Sequence, residues 1–388
     1  MRHRVWYPER VRRSDVAAAR GKLAAIGREL GEAFVERDQV IEGALAALLA
    51  RQHVLLLGPP GTAKSMLADE LCRRIEGAAY FQWLLTKFTT PEEVFGAVSL
   101  RALEQDEYRR VTTRKLPEAH VAFLDEIFKA SSSILNALLT LLNERRFDNG
   151  RDSVDVPLLT VFGAANELPE EDELSAIYDR FLVRFVVGYV VEDWRFLRML
   201  RAAAPEAGTR ISLPELALLW DAVAEVSVPD GILRSIADLR RALGEQQILP
   251  SDRRFRQSVT LLRALALLRG RDAVGDDEVQ FLEHVLWRDP AEQATVRDVL
   301  RRLVRGFDEQ VQELLYQGRE LGEYIEQAWD SREQRARARI EVETKLRRIL
   351  EQIAAIERAA RDAGREVARA EAARREIEAL RRAIAEVG

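Results

Sequence analysis

The chain has 388 residues, of which 47% are hydrophobic and 32% charged, so it is long enough for two or three domains with a buried core. Its formal net charge of -5 argues against the sequence-wide basic bias of a dedicated nucleic-acid-binding protein. Its one cysteine, Cys72, excludes an intramolecular disulfide framework, and the apolar neighbours of that residue predict a buried core thiol. No signal-peptide pattern and no run of ~20 apolar residues is present, which predicts a cytoplasmic protein without stable membrane insertion.

The first half of the chain alternates helical and strand patterns. Apolar residues at helical spacing predict the helices, whereas short continuous apolar runs predict strands that are buried on both faces. A strong turn signal lies at Asp148-Asn149-Gly150 and predicts a hairpin. This alternation predicts an α/β protein whose mostly parallel sheet is covered on both faces. The predicted segments are helices over residues 16–50, Lys64–Ile75 and Ser133–Asn143, and strands over Val54–Leu57, Val121–Leu124 and Leu158–Ala164.

The second half of the chain is predicted to be helical throughout. We assign residues 1–190 to an α/β nucleotide-binding domain, 191–305 to an all-helical lid domain and 306–388 to a helical tail. In the tail, apolar residues recur in steps of three and four from Leu346 to Val387, which predicts a narrow seam of a helical hairpin or a coiled coil. Asp362-Ala363-Gly364 is either the turn of that hairpin or a glycine tolerated in one long helix.

The strand at Val54–Leu57 runs into a phosphate-binding loop. The stretch HVLLLGPPGTAKS lies between a predicted strand and a predicted helix, which is the context that makes such a loop credible. Backbone N–H groups of the loop can converge on an anion at the helix N-terminus. Lys64 would reach the β- and γ-phosphates and Ser65 would bind Mg²⁺. The predicted nucleotide-binding residues are Gly58, Pro59, Pro60, Gly61, Thr62, Ala63, Lys64 and Ser65.

One position of this loop departs from the usual G-x-x-x-x-G-K-[ST] pattern. Ala63 stands where the pattern has a glycine next to the lysine. Because this position borders the helix, we expect ordinary helical dihedral angles to suffice there, so that a methyl group is tolerated.

An acidic pair closes the second buried strand. Asp125 and Glu126 follow Val121–Leu124, at the sheet edge where α/β proteins bind ligands. Carboxylates at the end of a buried strand are costly unless they meet a cation or hydrogen-bond donors. We therefore assign Asp125 to the Mg²⁺ site and Glu126 to activation of the attacking water.

These two motifs and their spacing resemble those of the AAA+ ATPases. In that family the polar residue that ends the third strand, here Asn166 in VFGAANELP, orients the water or contacts the γ-phosphate as sensor 1. The segment AIYDRFLVRF resembles the arginine-finger region, with Arg180 the better match and Arg184 its competitor. LPSDRRF resembles the sensor-2 region, where Arg253 is preferred over Arg254.

Further segments resemble the MoxR family within the AAA+ proteins, and its RavA-like subgroup in particular. They are GPPGTAKS, FLDEIFKASSSILNALLTLLNER, GAANELP, DRF and SDRRF, and the similarity covers roughly residues 20–305. The resemblance implies ATP and Mg²⁺ as cofactors and a homo-oligomeric ring, expected to be a hexamer, because the finger acts on the neighbouring subunit. It also implies chaperone-like remodelling of a protein client, with a von Willebrand factor A-domain protein as partner. RavA-like proteins carry a β-rich insert in their carboxyl-terminal region, and no strand pattern follows Ser331 here.

Two other functions are compatible with the motifs. A DNA-translocating motor of the MCM kind shares the Ala-Lys-Ser ending of the loop, but arginines of the predicted hairpin are offset by acidic residues, so nucleic acid is not expected as a partner. A nucleotide-gated scaffold that binds ATP without hydrolysing it is disfavoured, because Glu126, Asn166 and Arg180 are all present.

Overall fold

The computed structural model describes residues 13–168, 174–201, 208–301, 303, 306–326, 331–362 and 367–386. Within these ranges the chain forms two compact units that interleave along the sequence. The first unit holds residues up to 227 together with 250–274 and 284–290, and the second holds 228–249, 275–283 and the residues from 291 onward. The domain boundaries at residues 190 and 305 stay a prediction.

The strands are β1 (His53–Leu57), β2 (Ile75–Glu76), β3 (Tyr80–Leu84), β4 (Val121–Asp125), β5 (Arg146–Asn149), β6 (Asp152–Asp155), β7 (Thr160–Ala165), β8 (Phe181–Val186) and β9 (Ile211–Ser212). The helices of the first unit are α1 (Arg13–Ala33), α2 (Asp38–Ala50), α3 (Lys64–Arg73), α4 (Pro91–Phe95), α5 (Leu100–Leu103), α6 (Ser132–Glu144), α7 (Ser175–Tyr178), α8 (Asp193–Arg201), α9 (Leu213–Glu225) and α11 (Asp252–Leu268). Those of the second are α10 (Asp230–Glu245), α12 (Asp276–Gln280), α13 (Gln293–Leu300), α14 (Gly306–Glu326), α15 (Arg332–Asp362) and α16 (Ala368–Glu386).

A five-stranded parallel sheet forms the core of the first unit, in the order β3-β4-β7-β1-β8. All residues of β1 and β7 are buried, as expected for strands covered on both faces. The predicted α/β fold with a parallel sheet is therefore confirmed. Because all five strands run in the same direction, their carboxyl ends share one edge of the sheet and their amino ends the other.

The predicted helices and hairpin of this unit are confirmed, with one refinement. Residues 16–50 form two helices, α1 and α2, instead of one continuous segment. The hairpin is β5–β6, in which Phe147 pairs with Val154 and Gly150 has a φ of 74° in the turn. Cys72 is 3% exposed in the core, and burial raises the pKa of its thiol to about 12.

The prediction that only helices follow Glu192 is wrong at one place. Ile211 and Ser212 form the two-residue strand β9, which pairs in parallel with β2. So short a strand leaves no periodic pattern in the sequence. Burial of the Ile211 side chain, which is 0% exposed, stabilises this strand pairing within the first unit.

The predicted helical tail is a bundle of α14, α15 and α16, each packed against the other two. Its core includes Leu346, Ile353 and Ile377, which belong to the predicted apolar seam. Gly318 lets α14 approach α16 closely, because a Cβ there would lie 2.1 Å from Cδ1 of Ile377. The predicted break at Asp362-Ala363-Gly364 falls mostly outside the described residues. In the described part of the chain, no helix is both long enough and apolar enough to cross a membrane.

Candidate functional site

The loop between β1 and α3 has the backbone conformation of an anion cradle. Gly58 has a φ of 146°, and a Cβ at this position would lie 2.1 Å from the carbonyl oxygen of Val187, so that only glycine fits. Gly61 has a φ of 79°, which is also the left-handed region. Two glycines at these angles let the backbone turn sharply before the N-terminus of α3, as the loops that bind phosphate at helix N-termini do.

Ala63 also adopts the left-handed conformation, with φ 64° and ψ 22°. The expectation of ordinary helical dihedral angles at this position is therefore wrong. The reason is that Ala63 is the N-cap of α3, and the chain has to reverse its course here before the first helical turn. For an alanine this conformation costs about 1–2 kcal/mol, so the loop carries backbone strain that a glycine would avoid.

Lys64 points back into its own loop. Its Nζ donates hydrogen bonds to the carbonyl oxygens of Gly58, at 2.6 Å, and Pro59, at 2.8 Å. Burial lowers the pKa of Lys64, and the charges of Asp125 and Glu126 oppose that shift. A buried ammonium group whose hydrogen bonds go to neutral carbonyl oxygens is suited to a phosphate, which would add a charged acceptor.

The carboxyl ends of β4 and β7 bring three polar residues together beside this loop. Asp125 ends β4, and its Oδ1 accepts a hydrogen bond from the backbone N–H of Glu126 at 3.1 Å. Glu126 has a φ of 52°, which turns its side chain out of the strand direction. Asn166 follows β7, and its Nδ2 donates to Oε1 of Glu126 at 2.6 Å. The structure thus unites the predicted acidic pair and the predicted sensor-1 residue.

The donor set at this edge fits Mg²⁺ bound together with a nucleotide. Among the described residues, no cluster of three or more His, Cys, Asp or Glu side chains could hold a metal ion. The two predicted Mg²⁺ ligands, Ser65 and Asp125, are one hydroxyl and one carboxylate. This is the sparse protein shell typical of Mg²⁺ that takes its other oxygen ligands from phosphates and water.

The two arginine-finger candidates lie in different environments. Arg184 is 2% exposed, and its guanidinium donates to the carbonyl oxygens of Tyr178, Phe181 and Trp287. Burial lowers the pKa of Arg184 well below its ordinary value, and nearby Arg254 adds to this effect. Arg180 is half-buried, and its Nε has no hydrogen-bond partner among the described residues. Arg184 is thus engaged within its own subunit, whereas Arg180 keeps a buried Nε without a hydrogen-bond partner in the described part of the chain.

The sensor-2 candidates differ in the same way. Arg254 is 3% exposed and donates to the carbonyl oxygens of Leu182 at 2.7 Å, Val285 at 2.8 Å and Phe181 at 2.9 Å. Arg253 is half-buried, and its Nη2 donates to Oδ1 of Asn143 at 2.6 Å. Arg254 is therefore committed to its own fold, whereas the described hydrogen bond of Arg253 goes to a single side chain, that of Asn143.

Arg180 and Arg253 lie at the edge of the sheet opposite to the phosphate loop. Arg180 directly precedes Phe181, which pairs with His53 at the amino end of β1. Arg253 contacts the last turn of α6, and its charge contributes to lowering the pKa of His53. The five-residue strand β1 separates this edge from Gly58 by about 16 Å. The structure therefore does not bring these arginines to the loop of their own subunit.

Two residues near the loop were not predicted from the sequence. Arg37 donates from Nη2 to the carbonyl oxygen of Gly188 at 2.7 Å, and its positive charge lowers the pKa of Lys64. Lys129 forms an ion pair with Glu126, with 3.3 Å between Nζ and Oε2. Lys129 could have been found from its place three residues after Glu126 in DEIFK, because that spacing allows a contact across one turn. Arg37 carries no comparable signal.

Acidic residues accompany the arginines of the β5–β6 hairpin. Arg146 lies 4.0 Å from Asp155, whereas Asp152 pairs with Arg109, outside the hairpin, at 2.7 Å. Residues 146–155 hold two arginines and three aspartates, so the hairpin has no net positive charge of the kind that binding to a nucleic-acid backbone uses.

Comparison with known proteins agrees with this architecture. A family model described as the MoxR domain in the MoxR-vWA-beta-propeller ternary systems matches residues 21–214, half of the chain. A AAA lid domain model matches residues 231–300. A crystal structure of a candidate ATPase from Cytophaga hutchinsonii has a TM-score of 0.60 and 17% identity, covering 75% of this chain and 96% of that one, and it shows the shared fold.

Two sequence relatives extend the comparison. An uncharacterised protein of Methanocaldococcus jannaschii is 40% identical over 75% of this chain and 76% of its own length. Chaperone MoxR1 of Mycobacterium tuberculosis is 28% identical over 66% of this chain and 72% of its own length. With half of its residues matched by the MoxR domain and a AAA lid domain after it, the chain belongs to the MoxR family of AAA+ ATPases.

Proposed function

We propose that this protein hydrolyses ATP and uses the energy to remodel a protein client. The observation that carries the proposal is the meeting of Lys64, Asp125, Glu126 and Asn166 at one edge of the sheet, beside a loop with the backbone of an anion cradle. This is the set of groups that phosphoryl transfer from a nucleotide to water requires.

Each of these groups has a distinct role in the proposed reaction. Lys64 binds the β- and γ-phosphates after giving up the carbonyl oxygens that it contacts in this structure. Ser65 and Asp125 would hold Mg²⁺, and that ion would supply positive charge to the phosphates. Glu126 accepts a proton from the attacking water, and Asn166 orients that water or the γ-phosphate.

The position of Arg180 and Arg253 supports a ring. Because the length of β1, about 16 Å, separates their edge of the sheet from their own phosphate loop, we infer that both arginines serve the nucleotide of a neighbouring subunit. A contact of this kind is head-to-tail, and repeated head-to-tail contacts close by rotation into a ring, for which we propose six subunits. Arg180 is then the arginine finger and Arg253 the sensor-2 residue.

The proposed partners come from the comparisons. The matching family is described as part of MoxR-vWA-beta-propeller ternary systems, and one relative is named a chaperone. We therefore propose a von Willebrand factor A-domain protein as partner, a β-propeller protein as a further member of the complex and a protein as the client. Assignment to the RavA-like subgroup stays a prediction, as does a docking role for the bundle of α14, α15 and α16.

The test of the proposal is the Glu126→Gln variant, assayed for ATP turnover and for ATP binding. We expect turnover to fall by at least about 100-fold, because the general base is lost, while ATP binding is kept. Glu104→Gln is a matched control, since Glu104 is an exposed residue near α5 and should not affect either quantity. Unchanged turnover in Glu126→Gln would favour a nucleotide-gated scaffold, and turnover stimulated by DNA would favour a translocating motor.

A further inference from the structure

Both carboxylate oxygens of Glu126 are engaged within the protein. Oε1 accepts a hydrogen bond from Nδ2 of Asn166 at 2.6 Å. Oε2 lies 3.3 Å from Nζ of Lys129. The Glu126 side chain is 16% exposed, so little room remains for water around the two oxygens. In this arrangement the proposed general base is already occupied by two donors.

The same contacts also occupy the proposed sensor. A hydrogen bond from Asn166 to a carboxylate is charge-assisted and therefore stronger than one to a neutral acceptor. The N–H of Asn166 that donates to Glu126 cannot at the same time donate to a γ-phosphate, and the orientation of the amide is fixed by this contact. Glu126 and Asn166 thus hold each other in a resting arrangement. Lys129 adds a positive charge beside the Glu126 carboxylate.

The Lys129 side chain contacts Glu126 but is not part of the hydrophobic core. Lys129 ends the short 3-10 turn Ile127–Lys129, and its side chain is 59% exposed. Ile127, in the same turn, is 0% exposed and anchors it. The fold of the turn therefore does not depend on the Lys129 side chain, and the described contact that this side chain makes is the ion pair with Glu126.

We propose that Lys129 is a positioning residue that holds Glu126 in its resting orientation and thereby limits the rate of ATP hydrolysis. The proposal rests on the proposed function, in which Glu126 is the general base. When Asn166 turns towards a bound γ-phosphate, Lys129 is the contact that still draws the carboxylate away from the water. Loss of the Lys129 ammonium group should therefore speed the chemical step and leave nucleotide binding unchanged.

The test is the single-turnover rate of ATP hydrolysis with protein in excess, together with the KM for ATP. For Lys129→Ala and Lys129→Met we expect the rate to rise about two- to five-fold, the range that the loss of an exposed ion pair allows, and KM to stay within about two-fold of wild type. Lys129→Arg keeps the cation and should restore the wild-type rate. The matched control is Lys345→Ala, because Lys345 forms an exposed pair with Glu341, 2.6 Å away in α15, and its rate should not change.

A melting curve of each variant excludes an effect through folding. An unchanged or lower rate in both Lys129→Ala and Lys129→Met, with wild-type melting, would overturn the proposal. So would a rise that persists when Lys129→Ala is combined with Glu126→Gln, since Lys129 would then not act through Glu126. These results are distinct from failure of the proposed function, which would show as wild-type turnover in Glu126→Gln alone.

Discussion

Arg253 donates a hydrogen bond from Nη2 to Oδ1 of Asn143, 2.6 Å away, at the edge of the sheet opposite to Lys64. Lys64 lies beyond the carboxyl end of β1, whereas Asn143 lies in the last turn of α6, near the amino end of that strand. One subunit therefore has a phosphate loop at one edge of its sheet and Arg180 and Arg253 at the other. A complete site of the proposed kind needs both, and two adjacent subunits can supply them.

The contrast between Arg180 and Arg184 gives the first prediction. Arg184→Ala removes the donor of three buried carbonyl oxygens, each of which costs about 1–3 kcal/mol when it is left unsatisfied. We expect the free energy of unfolding to fall by at least about 3 kcal/mol, measured by denaturant unfolding. Arg180→Ala should unfold like wild type and lose ATP turnover by about a thousand-fold. The reverse pattern, with a stable Arg184→Ala that lacks turnover, would make Arg184 the finger.

The left-handed Ala63 gives the second prediction. Ala63→Gly relieves about 1–2 kcal/mol of backbone strain in the folded protein. It also gives the unfolded chain more conformational freedom, which lowers the free energy of unfolding by about 0.4–1 kcal/mol. The net expectation is a gain in stability of about 0.5 kcal/mol, with ATP binding retained. Ala63→Val is the counterpart, because a β-branched residue is poorly tolerated at a φ of 64° and should lower the melting temperature. A loss of stability in Ala63→Gly would show that the loop is not strained at this position.

The buried His53 predicts how stability depends on pH. Nδ1 of this residue accepts a hydrogen bond from the backbone N–H of Val161 at 3.0 Å, and Nε2 lies 3.1 Å from the carbonyl oxygen of Leu142. Burial, and then the charge of Arg145, hold the pKa of His53 well below its ordinary 6.5. Below that value the unfolded chain binds a proton at His53 that the folded chain does not bind. The contribution of His53 therefore lowers the free energy of unfolding as the pH falls through 6.5, with a slope that approaches about 1.4 kcal/mol per pH unit below that pH.

The measurement is denaturant unfolding of wild type and His53→Asn from about pH 7 to about pH 5.5, a range that spans the ordinary histidine pKa. Asparagine can accept the hydrogen bond from Val161 through Oδ1 and does not titrate. We expect its stability to depend less on pH than that of wild type. Parallel curves for the two proteins would mean that His53 binds a proton in the folded state.

Sequence patterns predicted three of the five strands of the sheet, β1, β4 and β7, together with the hairpin and the positions of Asp125, Glu126 and Asn166 at the carboxyl ends of strands. This succeeded because buried strands are continuous apolar runs, and because parallel strands carry the residues that follow them to one edge. The dihedral angles of Ala63 could not be predicted, since they depend on the course of the whole loop. The ion pair of Lys129 and the opposite location of Arg253 depend on side-chain placement and on helix packing, which no short motif specifies.

Subunit mixing tests the central claim most directly. Lys64→Ala subunits lack the phosphate contact but keep their arginines, and Arg253→Ala subunits have the converse defect. Each variant alone should be inactive. In an equal mixture of the two, a head-to-tail ring places intact arginines beside intact loops at random, so ATP turnover should recover to roughly a quarter of wild type. A mixture that stays as inactive as its components, although it assembles, would contradict a nucleotide site shared between subunits.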